Sequence, residues 1–195
     1  MKLNKLVVAV VALFAINSAA SAQNAEYRKG DILVNALYSI GSFESYGNGI
    51  DGFAQHAIGL TGEYGILDDM IHGKGAIGVG AELGFGFGSK DYDGAEVKGR
   101  RLHIATRGTM HYCFIPALDT YAGFRVGIAD WTKYKVETKV PGMGTLKAES
   151  DNDGEFIYNF IAGARYMLSD NFGLNVETAF WGRYSHLSLG VSFKF

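Results

Sequence analysis

The chain has 195 residues with 18 basic and 20 acidic side chains, 27 glycines, two prolines and a single cysteine, Cys113. That length suits one domain, a lone cysteine excludes an intramolecular disulfide in any compartment, and with no basic stripe, nucleic acid is not an expected partner. Glycine is at about double its ordinary usage of roughly 7%, while proline is reduced to Pro116 and Pro141 and no collagen period is present. Such a composition points to strands that need small side chains and unbroken ladders.

Lys2 and Lys5 precede eleven unbroken apolar positions (6–16), and Ala19, Ala20, Ser21 and Ala22 follow. A charged start, a short apolar run and an A-x-A site read as a secretory signal peptide over 1–22, with Gln23 as the expected mature N-terminus. Eleven residues fall short of the roughly 20 that span a bilayer as a helix. No cysteine follows the site, so a lipid-modified N-terminus is not expected. The expected mature domain, 23–195, keeps 16 basic residues (18 less Lys2 and Lys5) against 20 acidic ones, a net charge of −4.

Beyond the leader no run approaches 18 apolar residues, which excludes a helical membrane protein, and alternation with period two recurs instead. Strand 1 (32–42) sets Ile32, Val34, Ala36, Tyr38 and Ile40 against Asn35, Ser39 and Gly41. Strand 2 (56–66) sets Ile58, Leu60 and Tyr64 against Gly59, Thr61 and Glu63. Strand 3 (76–88) is the clearest, with Ile77, Val79, Ala81, Leu83, Phe85 and Phe87 on one face and glycines around Glu82 on the other. Strand 4 (100–114) opposes Leu102, Ile104, Met110, Tyr112 and Phe114 to Arg101, His103, Arg107, Thr109 and His111. Strand 5 (120–131) opposes Ala122, Phe124, Val126 and Ile128 to Tyr121, Gly123, Arg125 and Gly127. Strand 6 (156–168) carries Phe156, Tyr158, Phe160 and Tyr166 against Asn159, Gly163 and Arg165. Strand 7 (172–181) carries Leu174, Val176 and Phe180 against Asn175 and Glu177. Strand 8 (185–195) carries Leu187, Leu189, Val191, Phe193 and Phe195 against Ser188, Gly190, Ser192 and Lys194.

Eight segments near the ~9–11 residues that cross a membrane when tilted predict an all-β fold, an eight-stranded antiparallel up-and-down transmembrane β-barrel. Connections at 68–74, 115–119 and 169–171 are short, whereas those at 43–53, 89–99 and 132–154 are longer and polar. This asymmetry places both termini in the periplasm and the long loops outside the cell.

A soluble barrel would also alternate, so the polar face decides. It is mostly Gly, Ala, Ser and Asn with isolated charges, which suits a bore just wide enough for side chains to fill. Aromatics such as Tyr38, Phe85, Tyr112, Phe172 and Phe180 sit near strand ends on the apolar face, as interfacial girdles do. Glu63, Glu82 and Glu177 share the inner face with Arg107, Arg125 and Arg165. One such ion buried unpaired would cost several kcal/mol, so Arg–carboxylate pairs are expected to plug the lumen.

With these features the chain resembles the family of small outer-membrane β-barrel proteins that includes the OmpA membrane domain, OmpX and the opacity-type proteins. The resemblance spans 28–195 and is most specific at the C-terminus, where Leu187, Leu189, Val191 and Phe193 alternate up to a terminal Phe195. It implies that Phe193 and Phe195 form the signal read by the barrel-assembly machinery. No peptidoglycan-binding domain follows strand 8 in this sequence, so wall anchoring is not implied.

Other motifs carry less. Gly73-Lys-Gly-Ala-Ile-Gly78 has the spacing of a dinucleotide fingerprint, but a strand follows where a helix N-terminus is needed. His186-Leu-Ser188 resembles the His-x-Ser pair of lipid A deacylases, yet the downstream carboxylate is missing and parity turns both side chains inward. Asp151, Asp153 and Glu155, like Asp91 and Asp93, lack the remaining ligands of a calcium loop. His103 and His111 are eight residues apart, too far to share an ion, and Cys113 reads as packing.

The expected function is a non-enzymatic outer-membrane barrel, monomeric and without cofactor or metal. Its outer loops would contact lipopolysaccharide or an extracellular ligand. A small-solute pore and a lipid A-modifying hydrolase are the alternatives.

Overall fold

The computed structural model describes residues 26–42, 54–92, 95–140, 144–151, 154–182 and 185–195. The expected leader and the connection at 43–53 lie outside the described residues, as do Asp93 and Asp153. The described chain forms β1 (Ile32–Ser42), β2 (Ala54–Met70), β3 (Gly75–Tyr92), β4 (Ala95–Ile115) and β5 (Leu118–Val140). It continues with β6 (Gly144–Asp151), β7 (Glu155–Met167), β8 (Phe172–Phe180) and β9 (His186–Lys194).

All of these except β6 close into the barrel. Each barrel strand pairs antiparallel with the next, β5 pairs directly with β7, and β9 returns to β1. The expected eight-stranded antiparallel up-and-down barrel is the observed fold.

The register fixes the width. Starting at Gly41, the pairings run through His186, Ala179, Ile161, Gly123, Thr109, Gly78 and Gly65. Gly65 then donates to Asp31 O, ten residues below the start. For eight strands this stagger gives a tilt of about 40–45° and a bore that side chains can fill.

Period-two alternation then sorts the side chains. Leu60, Leu83, Ile104, Phe124, Leu174 and Leu189 point out and are exposed, while Thr61, Glu82, Arg107, Arg125, Glu177 and Ser188 point in and are buried. Apolar outside and charged inside inverts the arrangement of a water-soluble domain and is what a lipid surround requires. Aromatic contacts mark both rims of the outer face: Tyr112 meets Phe114 at the tight-turn end (centroids 4.8 Å apart), and Phe160 meets Trp181 at the other end (5.7 Å).

Two sequence expectations need correction. Phe172, expected on the exposed outer girdle, is buried: it opens β8 as the register partner of Phe193, whose ring covers it with centroids 5.4 Å apart. The connections expected at 89–99 and 132–154 are largely strand. β3 and β4 stay paired out to Tyr92 and Ala95, and β5 runs on to Val140 before returning as β6. In 133–140 the residues Tyr134, Val136, Thr138 and Val140 alternate with Lys133, Lys135, Glu137 and Lys139. This is a strand pattern in charged form, which a search for apolar alternation passes over. Eight residues at roughly 3.3 Å each give this hairpin a length of about 25 Å, with β4 still paired to β5 as far as Thr138.

The β2–β3 turn is strained. Ile71 and His72 adopt φ of 49° and 62°, a left-handed region that a β-branched side chain tolerates poorly, and Ile71 is half exposed. Ile71→Asn is therefore expected to raise stability by about 1 kcal/mol, read from urea unfolding of the refolded protein. A loss would mean that the exposed isoleucine makes contacts worth more than the strain.

Candidate functional site

The inward residues of all eight barrel strands meet in one polar lattice. At its centre Arg107 of β4 reaches three acids. Its Nη2 lies 2.6 Å from Glu177 Oε2, its Nε 3.2 Å from Glu63 Oε1 and its Nη1 3.5 Å from Glu82 Oε2. Toward the hairpin end, Arg125 pairs with Glu82, donates to Asn159 Oδ1 at 3.1 Å and meets His186 Nδ1 at 3.3 Å. His103 Nε2 lies 2.8 Å from the same glutamate.

Toward the tight-turn end the partner changes. Arg165 binds Asp119 Oδ2 at 2.6 Å and donates to Ser192 Oγ at 2.9 Å. Asp119 also holds His111 Nδ1 at 2.9 Å, and His111 Nε2 lies 3.2 Å from Glu63 Oε2. Tyr121 stands between the two halves. Its hydroxyl donates to Glu177 Oε2 at 2.8 Å, and the Arg107 and Arg165 guanidinium groups lie 5.9 and 5.4 Å from its ring centroid.

Of the six charged residues singled out in the sequence, the structure thus brings Glu63, Glu82, Glu177, Arg107 and Arg125 together, while Arg165 pairs with Asp119 instead. Asp119 was counted with the short 115–119 connection. Only Pro116 and Ala117 form that turn, and Asp119 is already inside β5. Its parity with Tyr121 and Arg125 was the available signal.

Glycine makes the room. Gly84 is the register partner of His103 and Gly163 that of Tyr121. A Cβ on either glycine would collide with the ring of its partner. Both glycines lie on the inner face, so substitution removes space that a large polar side chain occupies.

The tight-turn mouth is closed by the segment before β1. Tyr27 is 4% exposed, with its ring 4.3 Å from His111 and packed with Leu33 and Ala76. Burial, with the Glu63 charge added, holds its phenol above its usual range, so it stays neutral. Backbone bonds from Gly30 N to Gly65 O and from Asp31 N to Arg28 O, together with Lys194 Nζ donating to Glu26 O, pin this cap in place.

At the hairpin end Ser39, Thr61, Glu82, Arg101, His103 and His186 line a cavity of about 20 Å³. That is enough for one or two water molecules.

The remaining motifs find ordinary surroundings. Ser188 is buried with its hydroxyl 2.7 Å from that of Ser39. Thr109, His111 and Asp119 stand in hydroxyl–imidazole–carboxylate order, but all three are enclosed and Thr109 donates to Glu63. Gly73 lies in a turn and β3 begins at Gly75. Among the described residues no group of three or more His, Cys, Asp or Glu is placed to hold a metal ion. Cys113 is buried and packs on Met167. At the C-terminus, Phe195 exchanges two backbone bonds with Ile32 and leaves its ring exposed, while Phe193 is half-buried.

Removing one partner of a buried ion pair leaves a charge without compensation, a loss of about 3–5 kcal/mol. Arg107→Met leaves Glu177 without a cation and takes one partner each from Glu63 and Glu82, which keep His111 and Arg125, and is expected to destabilise by about that amount. Urea unfolding in lipid vesicles, followed by tryptophan fluorescence, reads the change. A loss below about 1 kcal/mol would mean that the lattice is not what holds the interior together.

Comparison with known proteins agrees with this architecture. Ail, the attachment invasion locus protein of Yersinia pestis, solved with the heparin analogue sucrose octasulfate, superimposes with a TM-score of 0.52 at 12% identity. That match covers 86% of this chain and 99% of Ail. Neisserial surface protein A superimposes with a TM-score of 0.54 at 14% identity, over 85% of this chain and 96% of its own. At such identities the likeness is one of fold. No curated protein matches the sequence. A family model, outer membrane protein beta-barrel domain, matches residues 6–195. An apolar belt, a charged lumen and a match over nearly the whole sequence place the chain in the outer membrane protein β-barrel domain family.

Proposed function

We propose that this protein is a non-enzymatic surface-interaction barrel of the outer membrane, with a plugged lumen and the β5–β6 hairpin as its working part outside the cell. One observation carries the reading. The interior is filled by paired side chains and capped by Tyr27, while β6 stands beyond the barrel with no strand on its outer side among the described residues. An open strand edge offers unpaired N–H and C=O groups to an extended segment of another chain. The signal peptide over 1–22 and periplasmic termini belong to the same reading, since the tight turns then face the periplasm. The names of Ail and of Neisserial surface protein A, one for attachment and the other for the cell surface, are in keeping with it.

The pore alternative requires a water path where Arg107 and its three acids meet. Planar-bilayer recording of the refolded protein is expected to show no stable single-channel conductance, and a large, steady one would replace this reading by a pore. Replacing 133–151 by a short turn is expected to leave a folded barrel, judged by its heat-dependent gel shift, and to abolish adhesion of expressing bacteria to host cells or matrix. Unchanged adhesion would remove the hairpin from the function.

We also propose that Phe193 and Phe195 serve as the signal for the barrel-assembly machinery, which would meet the exposed terminal ring before β9 closes on β1. Deleting Phe195 is expected to reduce assembly in cells more than refolding in detergent. Equal effects would assign the residue to barrel stability alone.

A further inference from the structure

We infer that the occupant of the β6 edge is β6 of a second copy, paired antiparallel and held in a facing membrane, so that the hairpin joins two cells. This rests on the hairpin being the surface that works outside the cell.

β6 pairs with β5 from Lys133↔Asp151 to Val140↔Gly144, and among the described residues the sheet ends there. Edges of this kind usually carry charge, which keeps arbitrary strands away because a like or unmatched charge placed opposite is unfavourable. Here the charges match themselves. In an antiparallel pairing centred on Ala148, Lys147 of each copy falls opposite Glu149 of the other, Thr145 falls opposite Asp151, and Ala148 meets Ala148. The contact is isologous, so every favourable pair occurs twice. Parallel in-register pairing would instead set Lys147 against Lys147 and Glu149 against Glu149. Lys147 is exposed and already ordered on this sheet, its Nζ 3.0 Å from Glu137 Oε1 of β5.

Strand direction decides where the second copy is. β6 runs from the hairpin tip back toward the barrel. Two copies inserted the same way in one membrane run β6 in the same sense relative to the bilayer and so present parallel edges. Copies in two membranes that face each other run it in opposite senses, which is the antiparallel arrangement that the charges favour.

The test uses the full protein refolded into two populations of phosphatidylcholine vesicles carrying donor and acceptor dyes, with clustering read by energy transfer. Vesicles bearing the parent protein are expected to cluster. Lys147→Glu vesicles and Glu149→Lys vesicles are each expected to lose clustering with their own kind, because each substitution sets like charges opposite. Mixing the two variants is expected to restore it, because every cross-strand pair then joins opposite charges again. This rescue also shows that neither variant failed to fold, and the heat-dependent gel shift checks folding separately. The inference is overturned if parent vesicles stay apart, if both single variants cluster like the parent, or if mixing fails to rescue. Parent vesicles that stay apart while excision of 133–151 still abolishes host adhesion would remove the second copy and leave the surface reading standing. Failure of both experiments would remove the two together.

Discussion

The structure depends on placing charge inside a bore so filled by side chains that the charges must satisfy one another. Four carboxylates (Glu63, Glu82, Asp119 and Glu177) and four guanidinium groups (Arg101, Arg107, Arg125 and Arg165) lie in the lumen with His111 between two of the acids. Every one of them comes from a different strand or a different level, so the lattice is complete only when the register is right all round the barrel. Lipid supplies little preference among apolar outer faces, whereas a slip of one residue would exchange the two faces of a strand. The ion pairs thus act as the check on register, because each displaced charge would be left without a partner. The inner glycines follow from the same constraint: an arginine or tyrosine fits an eight-stranded bore only if the neighbouring strand gives up its side chain, as Gly84 does for His103 and Gly163 for Tyr121.

The two ends of the barrel are built in opposite ways. At the tight-turn end the chain folds back on itself: Tyr27 covers His111, the segment before β1 bonds Gly65, and Phe195 pairs with Ile32. Those contacts use the backbone groups near both termini. At the other end β3, β4 and β5 continue past the closed barrel and add β6, which leaves an edge. Among the described residues one mouth is sealed while strands extend beyond the other, so the open sheet edge stands at that end.

Much of this was legible in particular residues. Glycines around Glu82 opposite Leu83, Phe85 and Phe87 sufficed to mark a strand with one face for lipid and one for the lumen, since side chains of a regular strand alternate. Asp119 was missed because it follows Pro116 in what reads as a turn, and the turn proves to be two residues long. Parity gives the side of β8 on which Phe172 lies but not its cover, since the ring of Phe193, across the β8–β9 pairing, packs over it. The β5–β6 hairpin was read as loop because its alternation is between charged residues and β-branched or aromatic ones. Such a pattern lacks the strongly apolar face of the barrel strands, and hydrophobicity alone does not register it.

By itself the sequence determined the class of fold, the number of barrel strands, and, Asp119 apart, which charged residues of the lattice face in. All three follow from period-two alternation and from the cost of exposing charge to lipid. Only the tertiary structure decided which charges pair, that Arg165 turns to Asp119, that Tyr27 caps the lumen and that a hairpin stands clear of the barrel. These depend on stagger, which brings residues from distant strands to one height. Stagger is set by the closure of the whole sheet and is written in no single segment.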